Sequence, residues 1–121
     1  MAASSIALKL ACGVVVCMLV GAPLAQAAIT CQQVYVNLSP CVEYLKSATG
    51  GAAPPLNCCT GVKNLNLAAK TTADRQQACK CIKTLVDDTG IPYSRANSVP
   101  KNCHVPVPYT ISKSLNCATV K

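Results

Sequence analysis

The fold is decided by the stretch CCTGVKNLNLAAKTTADRQQACKC, residues 58–81, which begins with one pair of cysteines and ends with another. On an α-helix, with about 100° between successive residues, Cys58 and Cys59 point to different sides. For the same reason Cys79 and Cys81 diverge by about 200°. Each pair therefore predicts a helix that is tied to two separate elements of the chain.

The N-terminus predicts export from the cell. Lys9 precedes an uncharged apolar run over residues 10–20, and the small-residue pattern AQA follows at residues 25–27. This arrangement is typical of a secretory signal peptide, and the run is too short to span a bilayer. We therefore expect residues 1–27 to be removed as a signal peptide and residues 28–121 to form one secreted, extracellular domain.

The expected mature chain contains eight cysteines. An even number in a short exported chain predicts four disulfides, although spacing alone leaves open roughly one hundred connectivities. One CC pair, one CxC pair and the single His104 do not provide the ligand spacing of a zinc site, so we expect no metal and no other cofactor. The eight residues are Cys31, Cys41, Cys58, Cys59, Cys79, Cys81, Cys103 and Cys117.

Apolar residues recur at intervals of three and four, which predicts an all-α chain. Thr30 with Gln33 forms a capping-box start for a first helix, and Thr71 can cap a later helix that has an acid three residues on. Alternating prolines beyond Pro100 predict an irregular C-terminal tail. The four expected helices begin at Cys31, after Pro55, at about Thr71 and at about Pro92, and the last two end at Gly90 and Val99.

Written out, the cysteine spacing is C-x9-C-x16-CC-x19-CxC-x21-C-x13-C, which resembles the eight-cysteine pattern of plant non-specific lipid-transfer proteins of type 1. The 19-residue gap and the polar Lys80 favour type 1 over the shorter type 2. TTADR at residues 71–75 matches the family's T/S-x-x-D-R/K pentapeptide, and PYTIS at residues 108–112 matches P-Y-x-I-S. The resemblance covers the whole expected mature chain.

The resemblance implies a disulfide-linked bundle of four helices, with the C-terminal tail folded over a hydrophobic tunnel that holds lipid. It also implies that Arg75 and Tyr109 lie near a tunnel mouth and contact the lipid head group. Residues 91–93 and His104 depart from the usual pattern, which leaves the shape of the fourth helix open. The implied disulfides are Cys31–Cys81, Cys41–Cys58, Cys59–Cys103 and Cys79–Cys117.

Composition supports the same interpretation independently. The mature part has about twenty Ile, Leu and Val residues but no Phe or Trp, so it fills the space between crosslinked helices with difficulty. We therefore expect a flexible apolar cavity, in which each buried methylene of an acyl chain would contribute about 0.8 kcal/mol. An ordinary core is the alternative, because it requires the same helix stripes. The candidate wall residues are Val34, Leu38, Leu45, Val62, Leu65, Ile82, Leu85, Ile111 and Leu115.

Each of the two candidate head-group residues, Arg75 and Tyr109, also has an alternative role. The guanidinium of Arg75 suits a carboxylate or phosphate, but an intrahelical or surface ion pair with Asp74 or another acid would use the same charge. Tyr109 combines an apolar ring with a hydroxyl donor, which suits an amphipathic ligand and equally suits a residue that packs the tail onto the bundle.

Catalysis has little support in the sequence. The four acids are Glu43, Asp74, Asp87 and Asp88, and the adjacent pair at 87–88 diverges on a helix and does not face a shared bond. His104 has no visible nucleophile partner. The basic residues form no run with interleaved aromatics, which argues against nucleic acid as a partner. We therefore expect neither an enzyme nor a nucleic-acid-binding protein.

Without Lys9 the chain has a net charge of +6. Dispersed positive charge suits transient attraction to an anionic membrane surface, and ordinary solubility is the alternative. The glycosylation sequon at residues 37–39 falls within the first expected helix, and we expect it to be unmodified. The basic residues are Lys46, Lys63, Lys70, Lys80, Lys83, Arg75, Arg95, Lys101, Lys113 and Lys121.

These observations favour a secreted, monomeric carrier that binds fatty acids, lysophospholipids or phospholipids and transfers them between membranes or to the cell wall and cuticle, with a possible role in defence. The alternative is a cationic antimicrobial or hydrolase-inhibitor protein, because a related cysteine framework occurs in cereal inhibitors of amylase and trypsin and in seed storage albumins. Those proteins resemble this sequence less in gap lengths, and they lack the two pentapeptides.

Overall fold

The computed structural model describes residues 27–47 and 53–121. Four α-helices and one short 3₁₀ turn form the regular structure of these residues, which include no β-strand, so the prediction of an all-α chain with four helices is confirmed. The expected signal peptide lies outside the described residues except for Ala27. The elements are α1 (Cys31–Ser47), α2 (Leu56–Ala68), α3 (Thr72–Thr89), α4 (Tyr93–Asn102) and the 3₁₀ turn Cys117–Thr119.

Local sequence determines where the helices begin and end. Before α1, the N–H of Gln33 donates to Thr30 Oγ1 at 3.1 Å, and the N–H of Thr30 donates to Gln33 Oε1 at 3.2 Å. Thr71 and Asp74 exchange the equivalent bonds before α3, at 3.0 and 3.3 Å. Both pairs are capping boxes. Gly90 ends α3 with φ 70°, which glycine adopts without strain.

Helix α4 is longer than predicted. The sequence places its end at Val99, but the helix continues through Pro100 to Asn102. The proline lies near the last turn, where its fixed φ still suits a helix and its missing N–H costs one hydrogen bond. None of the helices in the described ranges combines the length and the apolar character needed to cross a membrane.

The end of α4 has a backbone conformation that is unusual for its sequence. The N–H of His104 donates to Lys101 O at 3.1 Å, and the N–H of Val105 donates to Pro100 O at 2.9 Å. This pair of bonds is a Schellman motif, which commonly places glycine at the residue of positive φ. Here that residue is His104, with φ 58°.

Four disulfides connect the helices, and the tail, to one another. Each cysteine doublet sends its two members to different elements, and the pairs are those that the family resemblance implies. Cys31–Cys81 joins α1 to α3, Cys41–Cys58 joins α1 to α2, Cys59–Cys103 joins α2 to the end of α4, and Cys79–Cys117 joins α3 to the 3₁₀ turn.

Helices α1 and α2 meet at a contact that has no room for a side chain. A Cβ at Gly61 would lie 1.9 Å from the main-chain O of Asn37, so glycine is required at this crossing. The side chain of Asn37 donates to Gln33 O at 2.8 Å. The sequon at residues 37–39 therefore lies within α1, and its lack of modification stays a prediction.

Buried side chains form three clusters that do not merge into one filled core. The first joins α1 and α2 to Val99 and Val105, the second surrounds Cys81 between α1 and α3, and the third joins Cys79 to the C-terminal tail. Space is left where these clusters face one another, and this space contains the candidate site.

We expect His104→Gly to raise the free energy of unfolding by about 1 kcal/mol, because glycine adopts positive φ without the clash that a Cβ causes. Guanidinium denaturation of the oxidised protein measures this change. His104→Ala is the matched control, since it removes the imidazole but keeps the Cβ, and it should give no gain. Equal stabilities of the two variants would contradict the explanation.

Candidate functional site

A cavity of about 230 Å³ lies among the four helices and the C-terminal tail. Its wall includes Leu45 and Val62 from the first buried cluster, Leu65 and Ala78 from the second, and Ile111 from the third. For comparison, an engineered apolar cavity of about 150 Å³ in another protein holds benzene. The interior of this bundle therefore has room for an apolar ligand.

The cavity is elongated along α3. Arg75 near the start of this helix and Thr89 at its end both border the cavity. With a rise of about 1.5 Å per residue, these residues are separated by about 21 Å along the helix axis. A long, narrow, apolar space suits a chain-like ligand better than a compact one.

Most of the wall residues expected from the sequence border this cavity. They lie on α1, α2, α3 and the tail, so the apolar faces of three helices and one extended segment converge on the same space. The residues are Leu38, Leu45, Val62, Leu65, Ile82, Leu85 and Ile111.

Two of the expected wall residues, Val34 and Leu115, lie elsewhere. Val34 is fully buried in the second cluster, because Ile29 and Cys81 cover the first turns of α1. Leu115 packs against the third cluster, outside the cavity wall, because the tail turns back toward Cys117 at this point. A helical stripe cannot distinguish a residue that faces a neighbouring element from one that faces a gap.

Several wall residues were missed at the sequence level. Val42 follows Leu38 by one helical turn, so the spacing that found Leu38 could have found it. Ile91, Val105 and Val107 also line the cavity, but they lie in irregular segments beside prolines, where no helical period identifies a buried face.

Arg75 borders the cavity from the first turn of α3. Its Nε donates to the main-chain O of Lys121 at 2.8 Å, and its Nη1 donates to Ala69 O at 3.2 Å. The alternative ion pair with Asp74 is not observed, since that carboxylate accepts main-chain N–H groups. Among residues 27–47 and 53–121, Nη2 of Arg75 has no hydrogen-bond partner, so it can still donate to an anion.

Tyr109 borders the same cavity and also packs against the third cluster. Burial raises the pKa of its hydroxyl, and the positive charge of Arg75 lowers that pKa in part. The hydroxyl therefore stays protonated at neutral pH and can donate a hydrogen bond. The structure thus brings Arg75 and Tyr109 to one cavity, while their contact with a lipid head group stays a prediction.

Asn97 on α4 fixes the tail segment that closes the cavity. Its side-chain amide donates to Ile111 O and to Tyr93 O, and its Oδ1 accepts the N–H of Ile111 at 2.9 Å. Both main-chain groups of a wall residue are therefore held by one side chain. The sequence pattern gave no sign of this role, because an amide within a short polar helix usually faces water.

The polar side chains that border the cavity are amides, hydroxyls and cations. None of the residues that border it is an acid or a histidine. In the described ranges, no group of three or more His, Cys, Asp or Glu side chains is arranged to hold a metal ion. The chemistry that this site offers is apolar burial together with a few hydrogen-bond donors.

Comparison with protein families identifies relatives of the entire domain. The protease inhibitor/seed storage/LTP family matches residues 31–117. A non-specific lipid-transfer protein of Gossypium hirsutum is 54% identical over 120 residues, which cover 98% of this chain and 99% of the relative.

Two solved structures of similar proteins contain lipids. Barley non-specific lipid transfer protein 1, in complex with lysophosphatidylcholine, is 36% identical, with a TM-score of 0.66 over 77% of this chain and 100% of its own. The wheat non-specific transfer protein, complexed with two molecules of phospholipid, is 39% identical, with a TM-score of 0.66 over 76% of this chain and 100% of its own.

We expect Asn97→Ala to lower the free energy of unfolding by about 1–3 kcal/mol, because the N–H and C=O of Ile111 lose their partner. Guanidinium denaturation measures the loss, and amide hydrogen exchange of Ile111 should become faster in the same variant. The control is Asn64→Ala on the exposed face of α2. Unchanged exchange at Ile111 would show that other contacts hold the tail.

Proposed function

Because the chain belongs to the protease inhibitor/seed storage/LTP family, and within it to the non-specific lipid-transfer proteins, we propose that it binds and transfers lipids. The ligand is a fatty acid, a lysophospholipid or a phospholipid, whose acyl chain occupies the cavity among the four helices and the tail. The observation that carries this proposal is the elongated cavity, about 230 Å³ in volume, with apolar residues of three helices in its wall.

Burial of methylene groups supplies most of the binding energy in this proposal. Each methylene contributes about 0.8 kcal/mol, and the wall places few polar groups that would demand one particular ligand shape. A carrier with such a wall accepts acyl chains of several lengths. This property agrees with the different lipids that the barley and wheat proteins hold.

The head group lies beside Arg75 and Tyr109. The unoccupied Nη2 of Arg75 donates to a carboxylate or phosphate oxygen, and the protonated Tyr109 hydroxyl adds a second donor. Both side chains border the apolar cavity, so one ligand can reach them while its chain remains buried.

Transfer requires an encounter with a membrane, and the charge of the chain favours one. With residues 1–27 removed, the net charge is +6. Exposed lysines such as Lys46, Lys63 and Lys80 attract the protein to an anionic bilayer without inserting into it. The same charge suits delivery of lipid to an anionic cell wall.

We also propose that the protein is secreted and acts as a monomer. Residues 1–27 act as the signal peptide, and the oxidising environment outside the cell keeps the four disulfides formed. The family is one of lipid-transfer proteins, which are not enzymes. We extend this to the chain itself, because Glu43, Asp87, Asp88 and His104 are exposed and none of them borders the cavity.

A hydrolase inhibitor or antimicrobial protein is the alternative class. An inhibitor acts through a surface that enters the enzyme and has no need of an internal space, so the cavity favours the carrier. An antimicrobial protein would cause vesicle leakage in the absence of lipid transfer, which dye release from anionic vesicles would detect.

We expect Leu85→Trp to weaken binding of a fluorescent fatty acid by about tenfold or more, because the indole would fill space needed by two or more methylenes at about 0.8 kcal/mol each. Displacement titrations with the oxidised protein measure the affinity. Reduction of the disulfides should abolish saturable binding, since the crosslinks keep the helices apart.

The matched control for this experiment is Leu67→Trp, because Leu67 is 70% exposed on α2 and does not border the cavity. It should bind like the unmodified protein. Equal affinities of both variants, or an absence of binding by the correctly oxidised protein, would contradict the proposed cavity.

We expect Arg75→Gln and Tyr109→Phe each to reduce the preference for a fatty acid over the fatty alcohol of equal length. The loss for Arg75→Gln should be about tenfold to a hundredfold, since a hydrogen bond to a charged group contributes about 1.5–3 kcal/mol. Displacement titrations with both ligands give the ratio. Lys63→Gln removes an equal charge outside the cavity and should leave the ratio unchanged. An unchanged ratio in both site variants would rule out the head-group role.

A further inference from the structure

Asp74 is a buried carboxylate whose nearest donor comes from the beginning of the described chain. The residue is 4% exposed. Its Oδ1 accepts the N–H of Ala28 at 2.8 Å, and its Oδ2 accepts the N–H of Thr71 at 3.3 Å. The bond to Ala28 joins residues 46 positions apart, so it holds the segment before α1 against the start of α3.

The surroundings of Asp74 stabilise its ionised form but supply no countercharge. The N–H of Ala28 lowers the pKa of this carboxyl more than burial raises it. Within residues 27–47 and 53–121, the hydrogen-bond partners of the carboxylate are main-chain N–H groups and the side chain of Thr71, none of them a cation, and the neighbouring Arg75 is bonded to Ala69 and Lys121 instead. A buried charge is normally paired with an opposite one.

The position of Ala28 in the sequence suggests where that countercharge comes from. Ala28 directly follows the AQA pattern of residues 25–27, after which a signal peptidase would cut. Hydrolysis of the Ala27–Ala28 amide consumes one water. The carbonyl carbon of Ala27 becomes a carboxylate, and the nitrogen of Ala28 becomes a free amine that is protonated near neutral pH.

We propose that removal of the signal peptide creates an ammonium group at Ala28 that forms a buried ion pair with Asp74. The nitrogen already lies at hydrogen-bonding distance from Oδ1, so cleavage changes its charge without requiring it to move. A charge-assisted bond replaces a neutral one and is roughly twice as strong. Asp74 is thus a binding site for the new N-terminus of the chain.

The same geometry makes the pair sensitive to the position of the cut. Ile29, next to Ala28, is buried in the second cluster and fixes where the chain enters α1. A cut one residue earlier would leave an uncharged amide beside Asp74 and would place the ammonium about 3.5 Å further along the chain, where it is more hydrated. The inference rests on the proposed secretion and not on lipid binding.

The test compares four proteins that are secreted from the full-length chain. They are the unmodified chain, a chain with one glycine inserted between Ala27 and Ala28, Asp74→Asn, and the combination of both changes. The insertion keeps the N–H of Ala28 and displaces only the charge. Mass spectrometry of each product identifies its first residue, and guanidinium denaturation with intact disulfides gives its equilibrium constant for folding.

We expect the unmodified product to begin at Ala28. The insertion should reduce the folding equilibrium constant by about tenfold when Asp74 is present, and by less than twofold in the Asp74→Asn background. The comparison of the unmodified chain with the glycine insertion involves no substitution in the core. This comparison therefore remains valid even where Asp74→Asn accumulates poorly.

An unmodified product that begins at a residue other than Ala28 would overturn the proposal, as would an insertion whose product begins at the added glycine and which leaves the folding constant unchanged or lowers it equally in both backgrounds. Fatty-acid displacement is measured on the same four proteins and should not differ among them, because Asp74 does not border the cavity. Loss of the ion pair and failure of the carrier function are therefore distinguishable.

Discussion

Cys58 and Cys59 leave α2 in different directions, and Cys79 and Cys81 do the same from α3, so each of these helices is held between two partners. The crosslinks join residues that are 17 to 50 positions apart and so restrict the unfolded chain strongly. Stability obtained in this way does not require a filled interior. Without Phe or Trp to fill the space, three small clusters form around the disulfides, and a cavity remains between them.

The C-terminal tail depends on the bundle in a different way. Because it is extended and irregular, its main-chain groups have few partners within the tail, and side chains of the helices must supply them. Asn97 binds Ile111, Lys83 donates to the carbonyls of residues 113 and 115, and Gln76 donates to those of residues 118 and 120. These contacts convert a segment without secondary structure into one wall of the cavity.

Features that depend on neighbouring residues could be predicted from the sequence, whereas features that depend on distant ones could not. The capping boxes at Thr30 and Thr71 are local, and both form. Helical periodicity found six wall residues but also included Val34, because a period identifies a face of the helix and not what lies opposite that face. The role of Asn97 depends on how the tail folds back to place Ile111 beside α4, which no local pattern shows. The disulfide connectivity also depends on distant residues, and cysteine spacing alone left it open.

Two adjacent residues of the pentapeptide at 71–75, Asp74 and Arg75, connect the start of α3 to the two ends of the domain. Asp74 takes part in the cap of α3 and also accepts the N–H of Ala28, which comes from the beginning of the domain. Arg75 donates to Lys121, which comes from the end of the domain, and it also borders the cavity. Both tasks need a fixed helix start, which Thr71 provides. The short motif therefore couples chain entry, tail position and the proposed head-group site, so exchanging the acid and the base would preserve its composition but remove all three connections.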